Sequence, residues 1–114
     1  MGAIKLIEEF EFHQTLEKSR DIAIVFFSSQ ECSSCRYWEQ LLIQFTHINP
    51  QASIYKIDSG LNQALTQEFN VFHLPALFLY LDGEFYSEIQ CEAKLESIGK
   101  AIDDALKGPP QEMP

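Results

Sequence analysis

Apolar runs alternate with polar stretches along the whole chain, and the spacing inside each run predicts its backbone form. Ile4-Lys5-Leu6-Ile7 reads as a short first strand. Residues 9–19 read as a helix, with Phe12 and Leu16 one turn apart and Arg20-Asp21 leading out. Ile22-Ala23-Ile24-Val25-Phe26-Phe27 is continuously apolar and rich in β-branched and aromatic residues. A strand buried on both faces has that composition, and such strands belong to parallel sheets covered by helices. After the polar loop Ser28–Glu31, Trp38, Leu41, Leu42, Phe45 and Ile48 form one helical stripe, which Asn49-Pro50 ends.

Residues 52–57 predict the next strand, and Asp58-Ser59-Gly60 turns the chain. Leu61, Leu65 and Phe69 mark a short helix closing at Asn70, and residues 76–81 predict another buried strand. Asp82-Gly83 is a two-residue hairpin signal, with Glu84 to Ile89 as the antiparallel partner. A last helix from Glu92 to Lys107 carries Leu95, Ile98, Ile102, Ala105 and Leu106 on one face. Gly108-Pro109-Pro110 stops it. The order β-α-β-α-β-α-β-β-α puts parallel crossovers first and a hairpin last. It predicts an α/β fold with a mixed sheet of 4–5 strands and helices on both faces. One domain, residues 1–108, is expected, followed by a flexible tail, 109–114. Phe10, Phe12, Phe45, Phe69 and Phe78 are expected in the core, as is Trp38.

Composition narrows the function. At 114 residues and 46% hydrophobic, the chain has material for a real core, which excludes wholesale disorder and a disulfide-framework miniprotein. The formal charge is −9, and the acids concentrate late, with ten of the seventeen after residue 57. Such a surface repels phosphate, so neither nucleic acid nor anionic membrane is an expected partner; a basic protein partner is. No apolar run approaches a membrane span, and the N-terminus lacks a signal pattern, so the reading is cytoplasmic and monomeric. Gly2 prompts a myristoylation check, but Leu6 stands where that motif wants Ser or Thr.

The three cysteines carry the chemistry. Cys32-Ser33-Ser34-Cys35 falls just after a buried strand and just before an amphipathic helix. Cys32 would occupy the helix N-terminus, where unpaired N–H groups and the macrodipole favour a thiolate. Cys35 is one turn further in, within reach of a disulfide across that turn. The outer thiol attacks and the inner one resolves. A strand–C-x-x-C–helix arrangement is a far stronger redox signal than the bare spacing. Zinc is the rival chemistry; it usually takes four ligands, and besides the pair the chain offers Cys91, His13, His47 and His73, none at finger spacing. No metal and no bound cofactor are therefore expected.

At this point the chain resembles the thioredoxin family, from first strand to last helix. His73-Leu74-Pro75, just before the strand at 76–81, matches the family's second motif. The resemblance implies a thioredoxin-like fold, a cis Pro75 facing the Cys pair, and a Leu74 backbone that pairs with an extended substrate segment. It also implies that Cys91 stands where a glycine usually lines the substrate groove, either as a third thiol or as an inert small residue. His73 either tunes the pair or is a surface residue beside it.

The departures from an ordinary thioredoxin are specific. Glu31 replaces a Trp before the first Cys, and Ser33-Ser34 replace Gly-Pro. Phe26 stands at the place of a buried carboxylate, Ile54 at that of its lysine partner, and Gln40 at that of a mid-helix proline. Glu31 opposes a Cys32 thiolate, and Arg36 partly offsets it. Resolution by Cys35 then needs another proton acceptor. The implied activity is thiol–disulfide exchange on protein disulfides, with electrons from a reductase or thiol pool. The alternative is a thioredoxin-like binding module, serving as an adaptor, assembly chaperone or redox sensor with little turnover.

Overall fold

The computed structural model describes residues 4–114; Met1-Gly2-Ala3, with the signal and myristoylation readings, lies outside it. Five strands form one sheet: β1 (Ile4–Leu6), β2 (Ile22–Ser28), β3 (Ser53–Asp58), β4 (Ala76–Leu81) and β5 (Glu84–Ile89). Their spatial order is β1-β3-β2-β4-β5. The first three run parallel, β4 is antiparallel to β2, and β5 is antiparallel to β4. The helices are α1 (Phe12–Lys18), α2 (Ser33–Ile48), α3 (Gln63–Glu68) and α4 (Leu95–Lys107). The α/β expectation, with a mixed sheet and helices on both faces, is borne out.

Central strand β2 is buried from Ala23 to Ser28, and successive side chains enter opposite cores. Ile24 and Phe26 join Cys35, Trp38, Leu42, Phe45 and Ile98 under α2 and α4. Ala23, Val25 and Phe27 join Phe12, Leu16, Leu65, Phe69, Phe78 and Tyr80 under α1 and α3. The Asp82-Gly83 hairpin forms as its sequence requires, with φ of 51° and 86°. A Cβ on Gly83 would come within 2.6 Å of the Glu17 carbonyl oxygen, so this turn needs glycine for space as well as for φ.

One core assignment and two helix-pattern readings are corrected. Phe10 is 83% exposed and lies in a 3-10 turn, residues 9–11, before α1 begins. Two positions before Phe12, at about 100° per residue, Phe10 falls on nearly the opposite side from the Phe12/Leu16 face. Ile48 ends α2 and is exposed, and Leu61 precedes α3, outside its packed face, and is exposed as well. The last helix starts at Leu95 rather than Glu92. Beyond α4 the segment 109–114 has no regular structure. Within it, the Gln111 N–H donates to the Tyr86 carbonyl at 2.7 Å, and its side-chain oxygen accepts from the Glu88 N–H at 3.2 Å. The Tyr86 hydroxyl donates to the Gly108 carbonyl.

Candidate redox site

The chain leaves β2 at Ser28, crosses a short loop and enters α2 at Ser33, so Cys32 is the residue that caps the helix. Its backbone is extended, and its Sγ accepts the Cys35 N–H at 3.1 Å. Ser34 Oγ lies 3.4 Å from the same sulfur. Helix N–H groups and the hydroxyl both serve a sulfur that carries negative charge. Cys32 and Cys35 are joined as a disulfide, with Cα atoms 5.2 Å apart. Cys32 is half-buried, while Cys35 is only 3% exposed and packs into the α2/α4 core.

The Leu74–Pro75 peptide bond is cis and stands at the entry to β4, next to β2 in the sheet. Pro75, His73 and Cys91 share a hollow of about 320 Å³ with Trp38 and the exposed Phe72. Leu74 is half-buried and packs against both cores. Burial first, and then the Glu92 carboxylate, push the Cys91 thiol upward, so it favours the protonated form. That environment is the opposite of the one around Cys32.

Among the residues flanking the pair, Ser33 and Ser34 are exposed on the first turn of α2. Arg36 Nη1 donates to the Gln30 carbonyl at 3.3 Å. Glu31 is exposed and lines a hollow with Asp58 and Leu61, whereas Arg36 lines a separate one with Cys35. The two charges therefore face different spaces, and no ion pair joins them among the described residues. Beneath the motif, Phe26 is fully buried and pairs in register with Lys56, while Ile24 pairs with Ile54. Lys56 reaches Glu39 on α2, Nζ to Oε1 2.8 Å. Sequence reasoning passed over this pair. Its signal is the four-residue spacing of Cys35 and Glu39, which puts both on one side of the helix. Among the described residues no three His, Cys, Asp or Glu side chains converge as a metal site. No helix among them is long and apolar enough to cross a membrane.

The sequence profile of the family described as Thioredoxin matches residues 3–104. The chain belongs to the thioredoxin family. This thioredoxin-family domain is 32% identical over 84 residues to "Thioredoxin X, chloroplastic" of Arabidopsis thaliana, covering 73% of the chain and 46% of that protein. The chain thus spans less than half the length of that relative. It is 27% identical over 88 residues to "Thioredoxin" of Streptomyces clavuligerus, covering 77% of the chain and 82% of that protein. The crystal structure of thioredoxin from Trypanosoma brucei brucei superposes with a TM-score of 0.77 at 15% identity, over 94% of each chain. At that identity the likeness shows the fold, and the Cys32–Cys35 disulfide is consistent with the family's C-x-x-C pair.

Proposed function

We propose that this thioredoxin-family domain reduces disulfides in protein substrates through the Cys32/Cys35 pair. The observation that carries the reading is the capping position of Cys32. Its sulfur takes a helix N–H at 3.1 Å, while its partner Cys35 is buried behind it. A thiolate there is stabilised and open to substrate; the thiol behind it is shielded and can meet only Cys32.

In the reaction, the Cys32 thiolate attacks one sulfur of the substrate disulfide and the other sulfur leaves as a thiolate. Cys35 loses its proton and attacks Cys32 in the mixed disulfide, releasing the second substrate thiol and closing Cys32–Cys35. The substrate gains two electrons and the domain loses two. A reductase or thiol pool restores the dithiol, as suits a reducing, cytoplasmic setting. Leu74 and Pro75 would hold the substrate segment, with His73 and Cys91 on the rim. The acidic surface favours basic substrates; equal rates on acidic and basic disulfide peptides at low salt would confine the charge to solubility.

Insulin disulfide reduction, driven by dithiothreitol, tests the mechanism. Cys32→Ser should fall to background, and Cys35→Ser should trap a mixed disulfide. Full activity in Cys32→Ser would refute the reading. The potential of the pair gives the direction: about −270 mV marks a reductase and about −120 mV an oxidant. A second reading, a binding module, draws on Phe72, which is 84% exposed beside the Pro75 hollow. It predicts turnover near background and a partner set unchanged by Cys32→Ser/Cys35→Ser.

A further inference from the structure

Redox turnover requires that the Cys35 thiol lose its proton in a buried place. On β2, directly in the core below, stands Phe26, which can accept nothing. His73 opens into the hollow shared with Cys91, and Glu31 into the one beside Leu61. Neither lines the space next to Cys35.

That space is a hollow of about 350 Å³ walled by Cys35, Glu39, Lys56, Arg36, Ser28 and Gln30. Glu39 follows Cys35 by one helical turn, and Lys56 projects from β3 on the same face of the sheet as Phe26, its register partner. The Lys56–Glu39 pair is half-sheltered, each side chain 31% exposed. Such a volume, polar on several sides, holds water readily, since one water needs only about 30 Å³. We infer that Glu39, fixed in place by Lys56, receives the Cys35 proton through water in this hollow.

The inference rests on the redox reading above. The step balances: the Cys35 S–H bond breaks, its proton passes by way of water to the Glu39 carboxylate, and the sulfur keeps the electron pair. That pair forms the bond to Cys32 Sγ as the Cys32–substrate bond breaks. The departing substrate thiolate takes a proton, and Glu39 returns to the carboxylate. Lys56 is the positioning residue. Of the other charged groups near Glu39, Arg36 is turned to the Gln30 carbonyl. Asp58, two residues beyond Lys56 on β3, lines the other hollow, with its Oδ1 accepting the Gly60 and Leu61 N–H groups. Of the residues that line the hollow beside Cys35, Glu39 is thus the carboxylate.

The test is stopped-flow reaction of the reduced full chain, in excess, with the aromatic disulfide dithiobis(nitrobenzoate). The first nitrothiobenzoate released reports attack by Cys32, and the second reports resolution by Cys35. Glu39→Gln should slow the second release at least about tenfold near neutral pH, less than a directly placed general base because water intervenes. The gap should close as rising pH ionises Cys35 unaided, and the first release should change less than about twofold. Glu39→Asp should recover part of the loss, and Lys56→Met should show a smaller loss with the same pH dependence. A second release equal to the unmodified protein's at every pH, or slowed equally at every pH, overturns the inference. If Glu39→Gln does not fold, the same two results in Glu39→Asp and Lys56→Met overturn it. Absence of the first release in the unmodified protein would instead refute the redox reading.

Discussion

The two faces of the sheet are built from one set of strands, yet they are packed for different ends. Under α1 and α3, Phe69 lies 5.5 Å from Phe12, 5.5 Å from Phe27 and 5.0 Å from Phe78, ring centre to ring centre, in tilted and edge-to-face contacts. That cluster is closed and almost wholly apolar. Under α2 and α4 the core is largely aliphatic, and at one end it opens onto Cys32, Cys35, Glu39 and Lys56. Alternation along β2 separates the two, since neighbouring residues point to opposite faces. Cohesion can thus be concentrated on one face while polar chemistry is tolerated at the margin of the other.

The largest expected effect comes from forcing a charge into the core under α2 and α4, away from its polar margin. Phe26→Asp removes a fully buried ring and inserts a carboxylate into an apolar core, where its register partner Lys56 is already held by Glu39 and Ile54 lies on the same strand. A loss of about 5 kcal/mol or more is expected in denaturant unfolding. The folded state would favour the protonated acid, so the loss should grow as pH rises through the carboxylate range. Adding Ile54→Lys should recover part of it. Next, Phe69→Ala should cost about 3–5 kcal/mol while the rate of Cys32 attack per folded molecule stays within about twofold. A large change in that rate would show that the faces are coupled.

Asn62→Ala should cost about 1–3 kcal/mol. The buried Asn62 side chain accepts the Glu9 N–H at 2.7 Å and donates to the Asp58 carbonyl at 2.8 Å, tying the 3-10 turn to the loop before α3. The smallest effect concerns Cys91. With its thiol pushed up, alkylation near neutral pH should be slower than that of an unstructured cysteine. Raising pH ionises this thiol in the unfolded chain first, so whatever stability it contributes is lost in the alkaline range. Alkylation as fast as that of a free peptide would show that Cys91 shares the redox environment.

Periodicity made most of this architecture readable. The apolar run 22–27, the α2 stripe and Asp82-Gly83 each specify local form without help from elsewhere, and the C-x-x-C between them places the redox pair. What escaped depends on partners distant in sequence. Ile48 continues the α2 stripe, but whether a stripe is covered depends on where the neighbouring helix ends. Phe10 is apolar, but two positions before Phe12 it lies on the side of its turn that faces away from the core. Glu39 and Lys56 are seventeen residues apart and look like solvated charges until β3 and α2 are laid side by side. Asn62 stands at the N-cap of α3, but its side chain reaches past the helix to Asp58 and back to Glu8 and Glu9, more than fifty residues earlier.

Gln111 bears on a different property, the behaviour of the protein in crowded solution. β5 is an outer strand, and unpaired backbone groups on an outer strand invite pairing with another copy. Through its own main chain and side chain, Gln111 satisfies the Tyr86 carbonyl and the Glu88 N–H on that strand. The opposite margin, β1, is only three residues long and offers little to pair with. Both borders of the sheet are therefore blunted by different means, one by brevity and one by a glutamine borrowed from beyond the last helix.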